Sequence, residues 1–372
     1  MYLKRLEIAN LRNYSSQVIE PDLFFNIFSG SNAQGKTNLL EAIYLSCTGK
    51  SFRTQRESEI ISWQKEFSYI NSLFETNNRQ VEVRAELLPG KKRIEVNGIL
   101  TRGYPQGWPG VVLFKPEDLA LVKGSPLERR RFLDLEFGPF YPQYGYLLGQ
   151  YNRVLMQRNN LLREIKDKKE KNSSLQVWNE QFCQYGSRLL LQRIEIFKLF
   201  SPLIRDIHHD LTGAKEDLDI RYLSTLKINV PSSVEDIYSQ FIKGLREIEE
   251  EEIKRAQTLI GPHRDDFSLY INNRDARTYG SQGQQRTIVL TLKISQILQW
   301  HKEIGEYPLL LLDDVFFELD ENRRRALLKR VGGLVQTFVT TTGDHKVTLK
   351  DGFTVKKFIV HAGRIVDIVE GE

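Results

Sequence analysis

The stretch Gly30-Ser31-Asn32-Ala33-Gln34-Gly35-Lys36-Thr37 decides the fold, because it fits the pattern G-x-x-x-x-G-K-[ST]. We call it the phosphate loop, since this pattern is typical of loops that bind nucleotide phosphates through backbone N–H groups. Residues Phe24 to Phe28 before it have the composition of a buried strand. The residues after it form an apolar helical stripe, namely Leu39, Leu40, Ile43 and Cys47. The sequence therefore predicts a strand, a phosphate loop and a helix in that order.

Each residue type in the loop has a chemical role that its position permits. Gly30 and Gly35 allow a tight turn that points successive N–H groups at phosphate oxygens, and the helix starting near Lys36 adds its positive end. Lys36 is expected to neutralise the β- and γ-phosphates, and the Thr37 hydroxyl is expected to bind Mg²⁺. The predicted cofactors are therefore ATP and Mg²⁺, and Lys36 is a candidate catalytic residue.

Composition excludes some classes of protein. The 372 residues suffice for two domains or for one large domain with an insertion, and the formal net charge of +5 permits an anionic partner. Cys47 and Cys183 are the only cysteines, which argues against a disulfide framework. No apolar run approaches the roughly 20 residues of a membrane helix, and the N-terminus alternates like a strand instead of a signal segment. We expect a cytoplasmic protein.

The periodicity of apolar residues along the chain predicts the domain organisation. Residues 67 to 101 alternate with period two and contain turn signals, which indicates an antiparallel meander. From residue 116 to 258 the pattern is helical, with a break expected at Pro202. We therefore predict an α/β ATPase head formed by residues 1–115 and 259–372, with an inserted α-helical domain or arm at 116–258.

A second chemical feature lies far downstream. The run Leu309 to Leu312 has no polar alternation, as a parallel strand covered on both faces requires, and it ends in Asp313-Asp314. Acidic residues at the carboxyl end of such a strand are expected beside the phosphate loop. Asp313 would hold Mg²⁺ through water, and Asp314 would orient or deprotonate the attacking water as a catalytic residue. The alternative is an acidic turn after a core strand.

The order of the parts indicates a class of ATPase. Ser281-Gln282-Gly283-Gln284-Gln285-Arg286 opens a long helix that extends to Trp300, with Ser281 as N-cap. This block resembles the signature helix of ABC-type ATPases, and Glu318-Leu319-Asp320 resembles the loop that crosses their dimer. The resemblance implies that Ser281 to Gln284 cap the γ-phosphate of ATP held by a second subunit. It also implies an ATP-dependent homodimer.

Further blocks make the likeness closer. They are Asn10-Leu11-Arg12-Asn13-Tyr14, Phe114-Lys115-Pro116-Glu117-Asp118-Leu119, Arg129-Arg130-Arg131-Phe132-Leu133-Asp134, Gly261-Pro262-His263-Arg264-Asp265-Asp266 and Leu312-Asp313-Asp314-Val315-Phe316. Together with the motifs above, they resemble the RecF family of bacterial recombination mediators, which are related to SMC proteins. The resemblance covers nearly the whole chain in the family's order, and it places Arg12 at the nucleotide.

The RecF resemblance carries specific expectations. It implies an ABC/SMC-type ATPase head, with a mixed sheet and an antiparallel meander around the phosphate-loop helix. It implies weak, DNA-stimulated ATP hydrolysis, binding of gapped DNA with little sequence specificity, and work with RecR and RecO to load recombinase in repair, replication restart and the SOS response. Two positions depart from the pattern: Phe317 stands where a small residue is usual, and Thr340-Thr341-Thr342 stands where many ABC ATPases keep a switch His.

Several charged segments have two interpretations, one as a binding surface and one as an ordinary solvent-exposed surface. A basic helical arm would suit contact with DNA phosphates, with a solvated helix tip as the alternative. The candidate DNA-binding residues are Arg153, Arg158, Arg163, Lys166, Lys168 and Lys169. Glu247 and Glu249 to Glu252 are expected to face solvent, and His208-His209 is expected to lie at the surface.

Two function classes remain open, with a third behind them. One is a DNA-binding ATPase whose slow hydrolysis times its release. Another is an ATP-gated DNA-binding scaffold with almost no ATP hydrolysis. Its hydrolysis would be slow because Asp314 is one methylene shorter than the Glu usual in fast ABC ATPases. The third is another ABC-type ATPase, such as a transporter subunit. It is disfavoured because a compact cassette lacks the meander and insertion between Lys36 and Ser281.

Overall fold

The computed structural model describes residues 1–77, 79–101, 108–138, 141–168, 174–226, 233–343 and 354–371. Its strands are β1 (Tyr2–Leu11), β2 (Tyr14–Ile19), β3 (Phe25–Ser29), β4 (Ser68–Glu75), β5 (Gln80–Leu88), β6 (Lys91–Val96), β7 (Ile99–Thr101), β8 (Val111–Phe114), β9 (Leu218–Leu223), β10 (Asp266–Ile271), β11 (Arg274–Asp275), β12 (Leu309–Leu312), β13 (Thr337–Thr341), β14 (Val355–His361) and β15 (Arg364–Gly371). Its helices are α1 (Lys36–Thr48), α2 (Ala120–Lys123), α3 (Pro126–Phe132), α4 (Pro142–Lys166), α5 (Leu175–Thr212), α6 (Val234–Arg255), α7 (Ala276–Tyr279), α8 (Gln282–Ile304) and α9 (Glu321–Val331).

The chain folds into two compact units, Met1–Asp118 with Leu292–Glu372 and Leu119–Thr291. The first boundary lies near the predicted residue 115, but the second lies at Leu292 instead of residue 259. The reason is that β10 pairs with β9 and with β11, so this segment packs within the second unit. The second unit is therefore not purely helical, and α8 begins in it and continues into the first.

The first unit is built on a six-stranded sheet in the order β15-β14-β3-β13-β12-β8. All neighbours in it are parallel except β15, which runs antiparallel to β14. Every residue of β3, β8, β12 and β13 is buried, which explains why these segments show no polar alternation. The β14–β15 hairpin was not predicted, and it completes this sheet.

A second sheet, in the order β2-β1-β4-β5-β6-β7, contains the predicted meander. One hydrophobic core joins this sheet to α1 and to the parallel sheet. Residues such as Leu6, Ile43 and Phe338 contribute to this core, and Cys47 lies within it as a free thiol. The helix that follows the phosphate loop is therefore fixed on both sides, which gives the loop a rigid base.

The second unit combines α4, α5 and α6 with the small sheet β11-β10-β9. The predicted break at Pro202 is wrong, because α5 continues from Leu175 to Thr212. Proline removes one helical donor, but Pro202 and Lys198 are both exposed, so the freed carbonyl of Lys198 can be hydrated. Buried residues before and after it, such as Phe200 and Ile204, hold the helix in place. Within the described ranges, none of the helices is both long and apolar enough to span a membrane.

Candidate nucleotide-binding site

The phosphate loop lies between the carboxyl end of β3 and the start of α1, as predicted. Its glycines are required by close approach. A Cβ on Gly30 would lie 2.3 Å from the Val360 carbonyl oxygen, and one on Gly35 would lie 2.7 Å from Asn13 Oδ1. Gly35 also has φ 113°, a left-handed value that L side chains avoid. Ser31, Asn32 and Ala33 are exposed at the tip of the loop.

Two hairpin turns form hydrogen bonds with Gln34 of the phosphate loop. The side chain of Asn13 donates to the Gln34 carbonyl at 2.9 Å, from the turn between β1 and β2. The backbone N–H of Gly363 donates to the same carbonyl at 2.9 Å, and that of Ala362 donates to Gln34 Oε1 at 2.6 Å. These come from the β14–β15 turn, which the sequence reasoning missed although Ala362-Gly363 is a short turn between alternating segments. Gln34 is therefore fixed by two elements distant in sequence.

Arg12, placed at the nucleotide by the family resemblance, is held by a buried carboxylate. Its Nε donates to Glu41 Oε2 at 2.8 Å, and its Nη2 donates to Glu41 Oε1 at 2.7 Å. Ser51 also donates to Glu41, at 2.5 Å. The bidentate geometry fixes the guanidinium beside α1.

The Lys36 side chain contacts the first two residues of the phosphate loop. Its Nζ donates to the carbonyl oxygens of Gly30 and Ser31, both at 2.8 Å. Burial lowers the pKa of Lys36, while the nearby carboxylates of Asp314 and Asp313 act in the opposite direction. An ammonium held by weak carbonyl acceptors can exchange them for phosphate oxygens with a gain in charge pairing.

The structure brings the acidic strand end to the phosphate loop. Thr37 Oγ1 donates to Asp313 Oδ1 at 2.9 Å, although 276 positions separate the two residues. Burial raises the pKa of Asp313, and the hydrogen bonds from Thr37 and Thr340 act against that rise. A hydroxyl and a carboxylate are hard oxygen ligands of the kind Mg²⁺ prefers, together with phosphate oxygens and water. Thr37 and Asp313 therefore fit a Mg²⁺ site.

Asp314 has a strained backbone. Its φ is 54°, a left-handed value that is uncommon for a residue with a side chain. The Thr340 hydroxyl accepts from the Asp314 N–H at 2.8 Å, and it lies 2.9 Å from Asp313 Oδ1 and 3.2 Å from Asp314 Oδ1. Strain of this kind persists where surrounding contacts hold it, and it is frequent at active sites. Thr340 holds the strained residue.

Thr340 is the site residue that sequence reasoning undervalued. The sequence showed only that a threonine stands near the position of a switch His. The parallel register sets Leu312 beside Val339, so the next residues, Asp313 and Thr340, are neighbours across the strands. Strand pairing is the missing information, because it cannot be read from the local pattern around residue 340.

We expect Thr340→Val to lower the turnover number for ATP about tenfold or more with little change in KM. Valine has the same shape but leaves the Asp314 N–H without its acceptor and removes one hydroxyl donor from the carboxylates. Steady-state kinetics would check this. Thr340→Ser, which keeps the hydroxyl, should restore most of the rate. Parental turnover in Thr340→Val would show that the hydroxyl does not act on Asp314.

The signature turn, Ser281 to Gln284, opens α8 in the second unit. Ser281 Oγ accepts from the Gln284 N–H at 3.2 Å, and Gln284 Oε1 accepts from the Ser281 N–H at 2.8 Å. This reciprocal arrangement is a capping box. Ser281 and Gln282 are exposed, and the Ser281 hydroxyl keeps its own proton for donation.

Phe317 packs edge to face on Phe316 at 5.1 Å between ring centroids. Asp320, at the end of the loop that resembles a dimer crossing, caps α9 by accepting from the Arg323 N–H at 2.9 Å.

The basic arm is only partly as predicted. Arg153, Arg163, Lys166 and Lys168 are exposed on or just after α4, and Lys169 lies outside the described residues. Arg158 is a correction, because its side chain is fully buried and its Nη2 lies 2.5 Å from Glu252 Oε2. It cannot contact DNA from that position.

The same ion pair overturns the expectation that Glu252 faces solvent, since its carboxylate is also fully buried. Glu252 Oε1 accepts from the Leu259 N–H at 2.8 Å, and Arg158 Nη1 donates to Thr258 Oγ1 at 2.7 Å. A signal was available, because Arg158 lies at helical spacing between the buried Tyr151 and Ile165 on one face of α4.

Comparisons with known proteins give the relatives of this chain. A family model described as an AAA domain matches residues 5–299. The DNA replication and repair protein RecF of Pelotomaculum thermopropionicum is 58% identical over 98% of this chain and 100% of its own. The protein of the same name from Oceanobacillus iheyensis is 40% identical, covering 94% of this chain and 96% of its own.

Solved structures give the same result. A structure of the recombination mediator protein RecF with ATP, from the RecFOR pathway, matches with a TM-score of 0.88 at 33% identity, over 100% of this chain and 98% of that one. An SMC head bound to the C-winged helix domain of ScpA matches with a TM-score of 0.56 at 16% identity, over 100% and 98% of the two chains, and so shows the fold alone. The expected ABC/SMC-type ATPase head is confirmed.

Proposed function

The chain belongs to the RecF family, and on that premise we propose that it binds ATP and Mg²⁺, dimerises head to tail around the nucleotide, binds DNA and hydrolyses ATP slowly. One observation carries the nucleotide-binding part of the proposal. The 2.9 Å hydrogen bond from Thr37 to Asp313 joins the phosphate loop to the acidic strand end and sets a hydroxyl and a carboxylate side by side, as a Mg²⁺ site beside bound phosphates requires. The matching RecF structure that contains ATP supports it.

The residues divide the chemistry among them. Lys36 would leave the Gly30 and Ser31 carbonyls for phosphate oxygens, and Thr37 and Asp313 would hold Mg²⁺, which neutralises charge that develops on the phosphates. Asp314 would orient the attacking water and accept its proton. The Ser281 hydroxyl of a second chain would donate to the γ-phosphate, which ADP lacks.

The partners follow from the family. One matching structure is described as a recombination mediator in the RecFOR pathway. For this chain we propose RecR and RecO as partners, gapped DNA with little sequence preference as the nucleic acid, and loading of recombinase during repair and replication restart in the cytoplasm. A transporter subunit is no longer a candidate, because the chain belongs to another family.

A second candidate function, the ATP-gated scaffold, is favoured by the short side chain of Asp314. Steady-state turnover with and without duplex DNA separates the two. The proposed ATPase is expected to turn over slowly alone and faster with DNA. Absent turnover in both conditions, with ATP-dependent dimerisation intact, would support the scaffold. A parent protein that fails to bind ATP would contradict both.

DNA binding by the arm has its own test. We expect Lys166→Gln with Lys168→Gln to make the affinity for duplex DNA less dependent on salt, because each phosphate contact contributes about 0.9 to the logarithmic salt slope. The measurement is a titration with labelled duplex DNA at several salt concentrations. Lys65→Gln with Lys302→Gln removes the same charge from exposed positions of the first unit and serves as control. An unchanged slope in the arm variant would place the DNA site elsewhere.

A further inference from the structure

His208 is a buried titratable residue for which the proposed chemistry has no use. The expectation that it lies at the surface is wrong, because its side chain is fully buried, whereas that of His209 is partly exposed. The cause is its place on α5. His208 lies on the face that carries Ile204 and Leu211, which are also buried. A polar ring at such a position needs partners.

Both ring nitrogens of His208 have partners in the second unit. Nδ1 lies 3.0 Å from Thr291 Oγ1 on α8, and Nε2 lies 3.2 Å from Glu216 Oε2. Burial lowers the pKa of His208, and the hydrogen bond to Glu216 acts against that shift. A lowered pKa favours the neutral ring at pH 7. In the neutral tautomer that pairs with the carboxylate, Nε2–H donates to Glu216 and Nδ1 faces the Thr291 hydroxyl, whose one proton is shared between Nδ1 and the Thr287 carbonyl 2.8 Å away.

Glu216 continues the contact to the signature turn. Its second oxygen, Oε1, accepts from Gln284 Nε2 at 3.0 Å. Gln284 in turn forms the reciprocal capping bonds with Ser281. The hydrogen bonds run without a gap from His208 through Glu216 and Gln284 to Ser281. A second point of attachment, His208 to Thr291, lies farther along the same helix.

We propose that His208 and Glu216 are positioning residues that hold Gln284, and through it the Ser281 hydroxyl, in the orientation that binds the γ-phosphate of the partner's ATP. The inference rests on the proposed function, because it assigns a role to the signature turn in the dimer.

The chemistry explains why a carboxylate stands at residue 216. Two donors, His208 Nε2–H and Gln284 Nε2–H, are accepted by separate oxygens of one group. A glutamine at 216 has a single acceptor oxygen, so it would leave one donor with a poor partner. Gln284 must be held because its other end, Oε1, orients the Ser281 backbone. A mobile Gln284 side chain would therefore no longer fix the Ser281 backbone.

A satisfied core histidine with no role in binding is the competing explanation, and the two differ in what a variant loses. A purely structural role predicts a lower unfolding temperature and equal losses in every activity. A positioning role predicts weaker ATP-dependent dimerisation, with binding of ATP by the monomer intact. The phosphate loop belongs to the first unit and is untouched by changes in the second.

The experiment is sedimentation velocity over a range of protein concentrations with ATP, together with binding of a fluorescent ATP analogue at concentrations where the chain is monomeric. We expect Glu216→Gln to raise the concentration for half-dimerisation about tenfold, the effect of losing one hydrogen bond to a charged group. Affinity of the monomer for ATP should stay near the parental value. Asp217→Asn is the matched control, because it makes the same charge change next in sequence, at an exposed residue that pairs with His209.

Variants at His208 separate the loss of its hydrogen bonds from a loss of folding. His208→Ala removes both contacts, while His208→Gln can still donate to Glu216 and should dimerise closer to the parent. His209→Gln, at the partly exposed neighbouring position, is its control. Parental half-dimerisation in Glu216→Gln and His208→Ala would overturn the inference, as would dimerisation and monomer ATP binding falling together.

Failure of the proposed function gives a different result. If the parent binds ATP but stays monomeric, the proposed function is contradicted and this inference with it. If the parent dimerises, Ser281→Arg does not, and Glu216→Gln matches the parent, the function stands and the inference alone falls.

Discussion

Asp314→Asn is expected to reduce ATP turnover by about a hundredfold or more and to leave an ATP-bound dimer that accumulates. The amide cannot accept a proton from water, and loss of a general base costs about 10²–10⁴ in rate. The contacts that bind the γ-phosphate do not involve this side chain, so dimerisation should persist. Phosphate release and sedimentation with ATP measure the two effects.

Two further variants give this prediction its controls. Asp314→Glu keeps a carboxylate and should retain turnover. Asp313→Asn should instead weaken the binding of ATP in the presence of Mg²⁺, because Asp313 is the carboxylate that accepts a hydrogen bond from Thr37. Parental turnover in Asp314→Asn would show that the attacking water is activated by another group.

Ser281→Arg is expected to block ATP-induced dimerisation and hydrolysis while the monomer binds ATP almost normally. Ser281 is exposed at the start of α8 in the second unit, and Gly30 to Thr37 belong to the first, so the phosphate loop is unchanged. An arginine removes the hydroxyl donor and fills the space that the γ-phosphate of the partner's ATP would occupy. Binding of a fluorescent ATP analogue and light scattering with ATP measure the two properties.

The control for this change is Ser281→Thr, which keeps both the hydroxyl and the helix cap and should dimerise like the parent. Loss of the cap alone costs about 1 kcal/mol, so a small fall in thermal stability of Ser281→Arg is compatible with the prediction. A large loss of ATP binding by the monomer would instead mean that the variant is misfolded or that the two motifs act within one chain.

Much of the site could be predicted because its signals are local. The spacing of Gly30, Gly35 and Lys36 specifies a phosphate loop by itself, and a buried apolar strand that ends in Asp313 leaves few places for that carboxylate in a parallel sheet. The capping pattern of Ser281 and Gln284 is also local.

The features that sequence reasoning missed depend on partners far away in the chain. Arg158 was expected on an exposed basic arm, and its guanidinium can lie in the core because Glu252, on α6, supplies the opposite charge. The role of Thr340 follows from strand register, and that of Gln34 from the β14–β15 turn. Propensity also misled at Pro202, where packing on both sides keeps α5 intact.

The central claim is that the phosphate loop of one chain and the Ser281 helix of another share one ATP. Sedimentation of Asp314→Asn with and without the added change Ser281→Arg tests it most directly, because ATP hydrolysis is expected to be strongly reduced in both proteins. We predict that Asp314→Asn is a dimer with ATP and a monomer with ADP, and that the double variant binds ATP yet remains monomeric. A double variant that still dimerises with ATP would contradict the claim.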